Sequence, residues 1–388
     1  MPNAILALNA GSSSIKFGLF EIGRQGPIAH GEIEGIGTAP HFIARDDRGA
    51  VIGERRWPEA SVDHEALLGG LLEWVDAHLG ADTLVAVGHR VVHGGRNFTG
   101  PVLLDDKVLA ALDLLTPLAP LHQPHSLSPV RAIMAVRPGL PQVACFDTSF
   151  HHTLPAVATR FALPREYDVE GVRRYGFHGL SYEYIAGTLR RTVPWIASGR
   201  VIVAHLGNGA SLCALRDGVS IDTTMGFTAL DGLMMGTRCG TIDPGVILYM
   251  LQQKGLPAAE IETLLYQRSG LLGVSGISSD MRVLLESRTP EAREAVELFV
   301  FRIAREAAAL AGSLGGLDGF VFTAGIGEHA APIRAAVCKR LAWLGVALDP
   351  AANARHADRI SARDAPVEVR VIPTDEEAMI VRHTLETI

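Results

Sequence analysis

Short apolar runs that end in small or polar residues recur along this chain, and stretches with apolar groups every three or four positions separate them. The first run, residues 4–9 (AILALN), meets the turn Ala10-Gly11-Ser12-Ser13-Ser14; strand character resumes from Ile15 to Ile22, so a hairpin is expected. Residues 64–79 (HEALLGGLLEWVDAHL) carry apolar groups at helical spacing, and Leu84 to Val87 reads as a buried strand. Residues 142–147 (QVACFD) read as a strand ending on an acid. Residues 200–204 (RVIVA) restart the pattern, with a Gly/Asn turn and the returning segment SLCALRDG. Residues 291–314 predict a long Ala-rich amphipathic helix; 319–323 (GFVFT) predict a buried strand followed by the turn Ala324-Gly325-Ile326-Gly327-Glu328. Residues 116–129 (TPLAPLHQPHSLSP) predict an ordered loop, because proline removes backbone donors and blocks helix continuation.

A faint repeat runs through this pattern. ILALNAGSSSIKF and VAHLGNGASLCAL share a strand, a small-residue turn and a return strand, with Asn9 and Ser12 spaced like Asn208 and Ser211. Any hairpin after an apolar strand has this form, so the repeat alone supports common ancestry no better than coincidence. Two similar α/β halves imply a cleft between them, a preferred place for ligands.

At 388 residues the chain is too long for one ordinary core, and two domains are expected. Hydrophobic residues at 48% and charged residues at 20% fit a globular protein. A formal charge of −7 argues against a nucleic-acid partner. Any positive field for an anionic substrate must then be local. Cys145, Cys213, Cys239 and Cys338 include no C-x-x-C pair, so no zinc or redox site is indicated, and a reducing, cytoplasmic compartment fits them best. Neither a signal peptide nor a run of about 18 uncharged apolar residues is visible, so no membrane association is expected. The sequon at Asn97 carries no weight without secretion.

Three turns rich in Gly, Ser and Asn follow apolar strands, at 9–14, 205–211 and 324–328. Such turns let backbone N–H groups approach phosphate oxygens, and Lys16 adds a point charge beside the first. One turn is only a turn; three together favour a nucleotide. Neither G-x-x-x-x-G-K-[ST] nor G-x-G-x-x-G after a strand is present, which excludes a P-loop and disfavours a dinucleotide fold. Arg90 follows the apolar run LVAV, where an idle guanidinium is costly to bury and a bidentate one suits carboxylate or phosphate. Arg238, in the Gly-rich text DGLMMGTRCGTIDPG, is a second candidate; Met234 and Met235 beside it read as packing. Asp147 ends a strand, where an acid either lines a ligand crevice or caps the next turn. His178 and His205 are each as compatible with a structural hydrogen bond as with chemistry, and Ser181 to Tyr184 with a helix start. The pair His151-His152 has no second ligand pair at metal spacing.

In order, LNAGSSSIKF, GHRVVHGG, PLAPLHQPHSL, FDTSFHHTLP, YGFHGLSYEYI, VAHLGNGAS, DTTMGF, GLMMGTRCG, IDPG, GVSGISSDMR, FTAGIGE and IPTDEE resemble the acetokinase family, from residue 8 to residue 377. The resemblance implies two related α/β domains of the actin-like ATPase (ribonuclease H-like) type, with nucleotide in the cleft between them. It implies a first domain of residues 1–149 plus 379–388 and a second of 150–378. The implied activity is reversible phosphoryl transfer from ATP to the carboxylate of acetate, giving acetyl phosphate and ADP. Asn9 and Glu376 are implied to hold Mg2+ (or Mn2+); Ser12, Ser14 and Lys16 to face the phosphates, with His205, Leu206, Gly207, Asn208 and Gly209. Asp280, Met281 and Arg282, with Gly325, Ile326, Gly327, Glu328 and His329, are implied to hold the adenosine end. Arg90 and Arg238 are implied to flank acetate and the phosphoryl group, Asp147 to be the catalytic acid residue and His178 its transition-state partner; Val92, Leu121 and Phe177 would surround the methyl group. A homodimer is also implied.

Acetate is already ionised at neutral pH, so Asp147 is expected to orient an arginine or the metal's water and not to accept a proton. The chain departs from the family pattern at His329 (commonly Asn), Cys239 (Ser), Thr241 (Asp) and Ala229 (Pro), changes that bear on donor and acyl-chain preference. A propionate or butyrate kinase is the alternative within the class. An actin-like or Hsp70-like ATPase is the alternative outside it, and it needs neither paired arginines nor a small apolar pocket.

Overall fold

The computed structural model describes residues 3–11, 14–57, 64–80, 82–120 and 122–388. It divides into two compact units, Met1–Phe150 with Asp375–Ile388, and His151–Thr374. Its second cut lies at 374/375, where the sequence expectation had 378/379. The reason is local: Asp375 caps the terminal helix Glu376–Thr387 by accepting from Ala378 N.

In the first unit β1 (Asn3–Ala10), β2 (Ser14–Glu21), β3 (Ala29–Glu34), β4 (His41–Asp46), β5 (Val51–Arg56), β6 (Thr83–Val91), β7 (Val102–Leu103) and β8 (Gln142–Phe146) form one sheet. Its order is β5-β4-β3-β2-β1-β6-β8-β7. In the second, β9 (Arg200–Leu206), β10 (Ala210–Arg216), β11 (Val219–Thr223), β12 (Gly319–Thr323) and β13 (Glu368–Val371) order as β11-β10-β9-β12-β13. Both sheets thus carry an antiparallel meander (β3-β2-β1, β11-β10-β9) followed by two parallel strands (β6-β8, β12-β13). The faint repeat of the two hairpins is the visible part of this shared order.

Successive residues of a strand face opposite sides, so β6 serves two layers at once. Val87 joins the core in which Leu67, Leu68, Leu71, Leu72 and Val75 of the helix His64–Leu79 pack on Leu6, Leu8, Phe17 and Leu19. Each such buried side chain contributes about 1.5–3 kcal/mol. Gly88 turns to the other face, under the terminal helix. A Cβ on Gly88 would stand 2.3 Å from Thr384 Oγ1 and 2.4 Å from Ile380 Cγ2. Only glycine lets this helix lie so close to the sheet, and the helix carries Glu376.

Two expectations are corrected. Residues 116–129 are not a loop: Thr116–Leu118 is a 3-10 turn and Gln123–Val136 an α-helix that contains Pro129. Pro124 falls in the first turn, where its missing N–H costs nothing. Pro129 removes one ladder bond, offset by burial of Leu127, Val130 and Ile133 and by the Gln123 side chain. That side chain donates to the carbonyls of His93 (3.1 Å) and Leu112 (3.2 Å) and accepts from His93 N (3.2 Å). Likewise residues 324–329 form a short helix, entered through Ala324 at φ 63°, and not a tight turn.

All four cysteines are free thiols. Among the described residues no helix is long and apolar enough to cross a membrane.

Replacing Gly88 by alanine forces the terminal helix outward, and the unfolding free energy falls by about 1–3 kcal/mol, the usual cost of overpacking. Gly69, inside the helix His64–Leu79 with nothing within 4 Å of its missing Cβ, is the control. Gly69→Ala stabilises by up to about 1 kcal/mol through helix propensity. Urea unfolding of the two variants measures both; equal behaviour would contradict the packing described.

Candidate active site

Parallel pairing of β6 with β8 sets Arg90 opposite Cys145 and Val91 opposite Phe146, so Asp147 stands one step beyond the strand end. Its N–H still donates to Val91 O at 3.1 Å, which fixes the backbone. The Asp147 side chain, 2% exposed, accepts from Arg90 through both oxygens: Nε to Oδ1 at 2.8 Å and Nη2 to Oδ2 at 2.6 Å. Nη1 of Arg90 donates to Asn9 Oδ1 at 3.0 Å. Asn9 Nδ2 donates to Glu376 Oε2 at 3.3 Å, and that oxygen lies 3.9 Å from Arg90 Nε. Burial works against the charge on Arg90, but Asp147, Glu376 and Glu377 outweigh it and hold its pKa above the ordinary arginine value. Burial raises Glu377, with Glu376 and Asp375 adding to the rise and Lys16 opposing it.

Arg90, Asp147, Asn9 and Glu376 therefore form one hydrogen-bonded set. Lys16 pairs with Asn9 across the hairpin, and Ser14 begins β2 with its carbonyl accepting from Gly11 N at 2.8 Å. Val92, one residue past the end of β6, is buried, while Ser12 and Leu121 lie outside the described residues. No three His, Cys, Asp or Glu side chains among the described residues cluster as a metal cage. Asn9 Oδ1, which accepts from Arg90, and Glu376 Oε2, which accepts from Asn9 Nδ2, are the hard oxygens of this set. Such a pair suits Mg2+, which keeps several waters and takes substrate phosphates, and not zinc.

The second unit holds another set. The helix Gly179–Thr192 starts behind His178, whose φ is 58°, a left-handed conformation uncommon for a side-chain-bearing residue. Gly176 precedes it at φ 78°, where a Cβ would meet His151 at 2.6 Å. His151 Nε2 bonds Phe177 O at 3.0 Å and its Nδ1 bonds Ser220 Oγ at 2.8 Å. The histidine that resembled half of a metal pair is thus a strut that holds the Phe177 carbonyl, and Phe177 itself is buried.

The His178 ring stacks on the His205 ring, centroids 4.1 Å apart and planes within 15°. His178 Nδ1 bonds Ser211 Oγ at 2.8 Å, and His205 Nδ1 bonds Ser181 Oγ at 2.9 Å. The loop beyond His205 and the buried Leu206 is tied by Gly207 N to Gly209 O at 3.0 Å, and Asn208 O accepts from Gly236 N at 2.9 Å. Gly209 sits under two side chains: its missing Cβ would lie 3.3 Å from His178 Nε2 and 3.6 Å from Arg238 Nη2. Arg238 Nη1 donates to the Ala229 carbonyl at 2.8 Å.

The other expected nucleotide residues form separate local groups. Asp280 caps the helix Met281–Glu286 and pairs with Arg282 at 2.6 Å; that hydrogen bond is the first cause of its lowered pKa. Met281 is buried. Gly325, Ile326, Gly327, Glu328 and His329 share the short helix, whose Gly327 and Glu328 carbonyls accept from Arg334 Nη1 at 2.9 and 2.7 Å. Arg334 is fully buried, and its Nε donates to Asn353 Oδ1 at 2.8 Å. Sequence reasoning missed it because an arginine in an amphipathic helix reads as solvated surface. His329 projects into solvent.

Residues 4–382 match the acetokinase family. The chain belongs to the acetokinase family. It is 56% identical over 390 residues to the acetate kinase of Rhodopseudomonas palustris (strain ATCC BAA-98 / CGA009), covering 99% of this chain and 98% of the relative. It is 53% identical over 390 residues to the acetate kinase of Nitrobacter hamburgensis, covering 100% and 96%. Among solved structures it is similar to a propionate kinase from Francisella tularensis (TM-score 0.93, 37% identity, 100% of both chains). It is also similar to Porphyromonas gingivalis acetate kinase (TM-score 0.86, 36% identity, 99% of both chains). Members of the acetokinase family are ATP-dependent phosphotransferases with a carboxyl acceptor, and this chain is such an enzyme. Its two α/β units of matching strand order are the actin-like ATPase architecture that the resemblance implied.

Burial keeps His89, His93 and His151 neutral, each with its pKa lowered from 6.5 to about 4. Because the folded values lie below the unfolded ones, the stability these rings contribute is complete above pH 6.5 and is lost as pH falls toward 4. Between those limits each ring adds a slope of about 1.4 kcal/mol per pH unit. Urea midpoints hold from pH 7.5 to about 6.5 and fall from there to pH 5 (constant values throughout would contradict the assignment).

Proposed function

We propose that this chain transfers the γ-phosphoryl group of Mg-ATP to the carboxylate of acetate, giving acetyl phosphate and ADP, and runs the reaction in reverse. The Arg90 guanidinium carries the proposal: it is held by both oxygens of Asp147 and half-buried, an arrangement that suits recognition of a small carboxylate or of the transferring phosphoryl group. Whole-length identity to acetate kinases supports acetate as the acceptor.

Arg90 and Arg238 bind the two anions and stabilise charge on the equatorial phosphoryl oxygens, with His178 as a donor to the same group. Asp147 orients Arg90; with both oxygens committed to the guanidinium it has no role as a base. Val92, Leu121 and Phe177 enclose the methyl group. Ser12, Ser14, Lys16 and the loop from His205 to Gly209 face the phosphates. Asp280, Met281, Arg282 and residues 325–329 hold the adenosine end. Asn9 and Glu376 hold the metal. A Mg2+ ion held there would offset the negative charge of the nucleotide phosphates.

A propionate kinase is the second reading, favoured by the Francisella neighbour and by Ala229. Ala229 is buried, and its carbonyl anchors Arg238. A small residue there leaves room for one more methylene, a difference worth only about 1–3 kcal/mol in an apolar pocket. The helix Pro244–Gln252 (PGVILYMLQ) buries none of its residues, and Leu248 and Tyr249 are about half exposed; this apolar face supports a homodimer. Four free thiols support a cytoplasmic setting.

Trapping acyl phosphate with hydroxylamine, across acetate, propionate and butyrate with ATP, tests the proposal. Acetyl hydroxamate forms, and its rate ranks acetate against propionate; ATP hydrolysis without hydroxamate would reveal an ATPase of the actin type instead. In the same assay Arg238→Ala lowers kcat by about a hundredfold or more, the ~2.7–4 kcal/mol of a lost preorganised charge contact. KM for ATP moves little, and Arg238→Lys does not restore full turnover. Near-normal turnover in Arg238→Ala would remove it from the site.

A further inference from the structure

The proton positions on the two stacked imidazoles follow from hydroxyl groups that the family pattern leaves without a role. Tyr182 is fully buried, and among the described residues its hydroxyl bonds one side chain, Ser211 Oγ at 2.5 Å. Burial holds the phenol well above its ordinary pKa, so it is protonated. With Ser211 its hydrogen-bond partner, the phenol donates to it. Ser211 is fully buried too, and its second partner is His178 Nδ1 at 2.8 Å. Having accepted from Tyr182, Ser211 has its own proton to give, and Nδ1 receives it. A ring nitrogen that accepts is bare, so the ring's proton is on Nε2. The opposite tautomer would aim two donors at Ser211 Oγ and strand the serine proton in a site closed to water.

His205 repeats the arrangement through different residues. Thr374 Oγ1 donates to Ser181 Oγ at 2.9 Å, and Ser181 bonds His205 Nδ1 at 2.9 Å. Ser181 is fully buried, so its proton also goes to the ring. Register explains how the two chains of hydroxyls interleave: Ser211 faces His205 across β9 and β10, while Ser181 and Tyr182 are consecutive on one helix. Thr374 comes from the text IPTDEE, whose resemblance to the family gave a role only to Glu376.

We propose that Ser211 with Tyr182, and Ser181 with Thr374, are positioning residues that lock His178 and His205 as neutral Nε2–H tautomers, so that both rings meet the transferred phosphoryl group as hydrogen-bond donors. The last clause rests on the phosphoryl-transfer reading; the tautomers do not. In the other tautomer Nε2 would present a lone pair, which repels a phosphoryl oxygen instead of stabilising it. Two neutral rings also tolerate face-to-face stacking at 4.1 Å, where a charge on either would disfavour a charge on the other.

Nitrogen-15 NMR of the full-length protein, labelled at histidine and assigned with His178→Gln and His205→Gln, reads the tautomers directly. Both rings show a bare Nδ1 and a protonated Nε2 at neutral pH. Tyr182→Phe frees the Ser211 hydroxyl to turn, and the Nδ1–H form appears at His178 but not at His205. Thr374→Val does the reverse, and Thr374→Ser, which keeps the hydroxyl, restores the His205 tautomer. In each variant kcat falls in step with the lost Nε2–H population, by up to about tenfold, while KM for ATP holds. An Nδ1–H or doubly protonated ring in the wild type overturns the proposal. So do unchanged tautomers in both Tyr182→Phe and Thr374→Val, or tautomer shifts with unchanged kcat. Full activity in His178→Gln would instead remove that ring from the transferred phosphoryl group and leave the tautomer result standing, while ATP turnover without acyl phosphate in the wild type would overturn the phosphoryl-transfer reading alone.

Discussion

A guanidinium fixed at the end of a buried strand is the constraint on which the first unit is built. Arg90 takes both oxygens of Asp147, and that geometry exists only because β6 and β8 are parallel neighbours in a register that sets Asp147 one residue past its strand. Taking away one partner of a buried pair costs about 3–5 kcal/mol, because the other charge is left behind. Changing either residue alone therefore lowers stability. Asn9 and Glu376 extend the same set, and Glu376 reaches it because Gly88 lets the terminal helix rest on the sheet. Both Asp147 oxygens accept from Arg90, which supports the proposed role of aiming the guanidinium at an acceptor already ionised at neutral pH.

The second unit solves a different problem with neutral groups. His178 occupies a left-handed backbone position that only surrounding structure sustains. Gly176 permits the turn before it, and His151 holds the intervening Phe177 carbonyl. Behind the rings, serine, threonine and tyrosine hydroxyls set proton positions without adding charge. Arg238, anchored on the Ala229 carbonyl, provides a cation beside Gly209.

Much of this was legible in the chain. Apolar runs ending in Gly, Ser and Asn located β1, β9 and β12, and the costly arginine after LVAV pointed to Arg90. The faint hairpin repeat understated the duplication, because β6, β8, β12 and β13 share order and direction but no sequence pattern. Proline content misled at 116–129, where burial and the Gln123 bonds outweigh one missing ladder bond. Arg334 and Thr374 were invisible for a general reason: what they do depends on partners far away in sequence, Asn353 and Ser181, and no local pattern records such a pairing. Family resemblance supplied roles for Asp280, Arg282 and residues 325–329 that composition and spacing could not.

The central claim is that Asp147 acts through Arg90, and a double-mutant cycle on kcat/KM for acetate tests it most directly. Asp147→Asn, Arg90→Ala and the combined variant are measured together. If Asp147 only aims the guanidinium, its substitution costs nothing further once Arg90 is gone, and the double variant matches Arg90→Ala alone. If the two losses multiply, Asp147 has a separate function in proton transfer or binding, and the account given for the first unit is wrong.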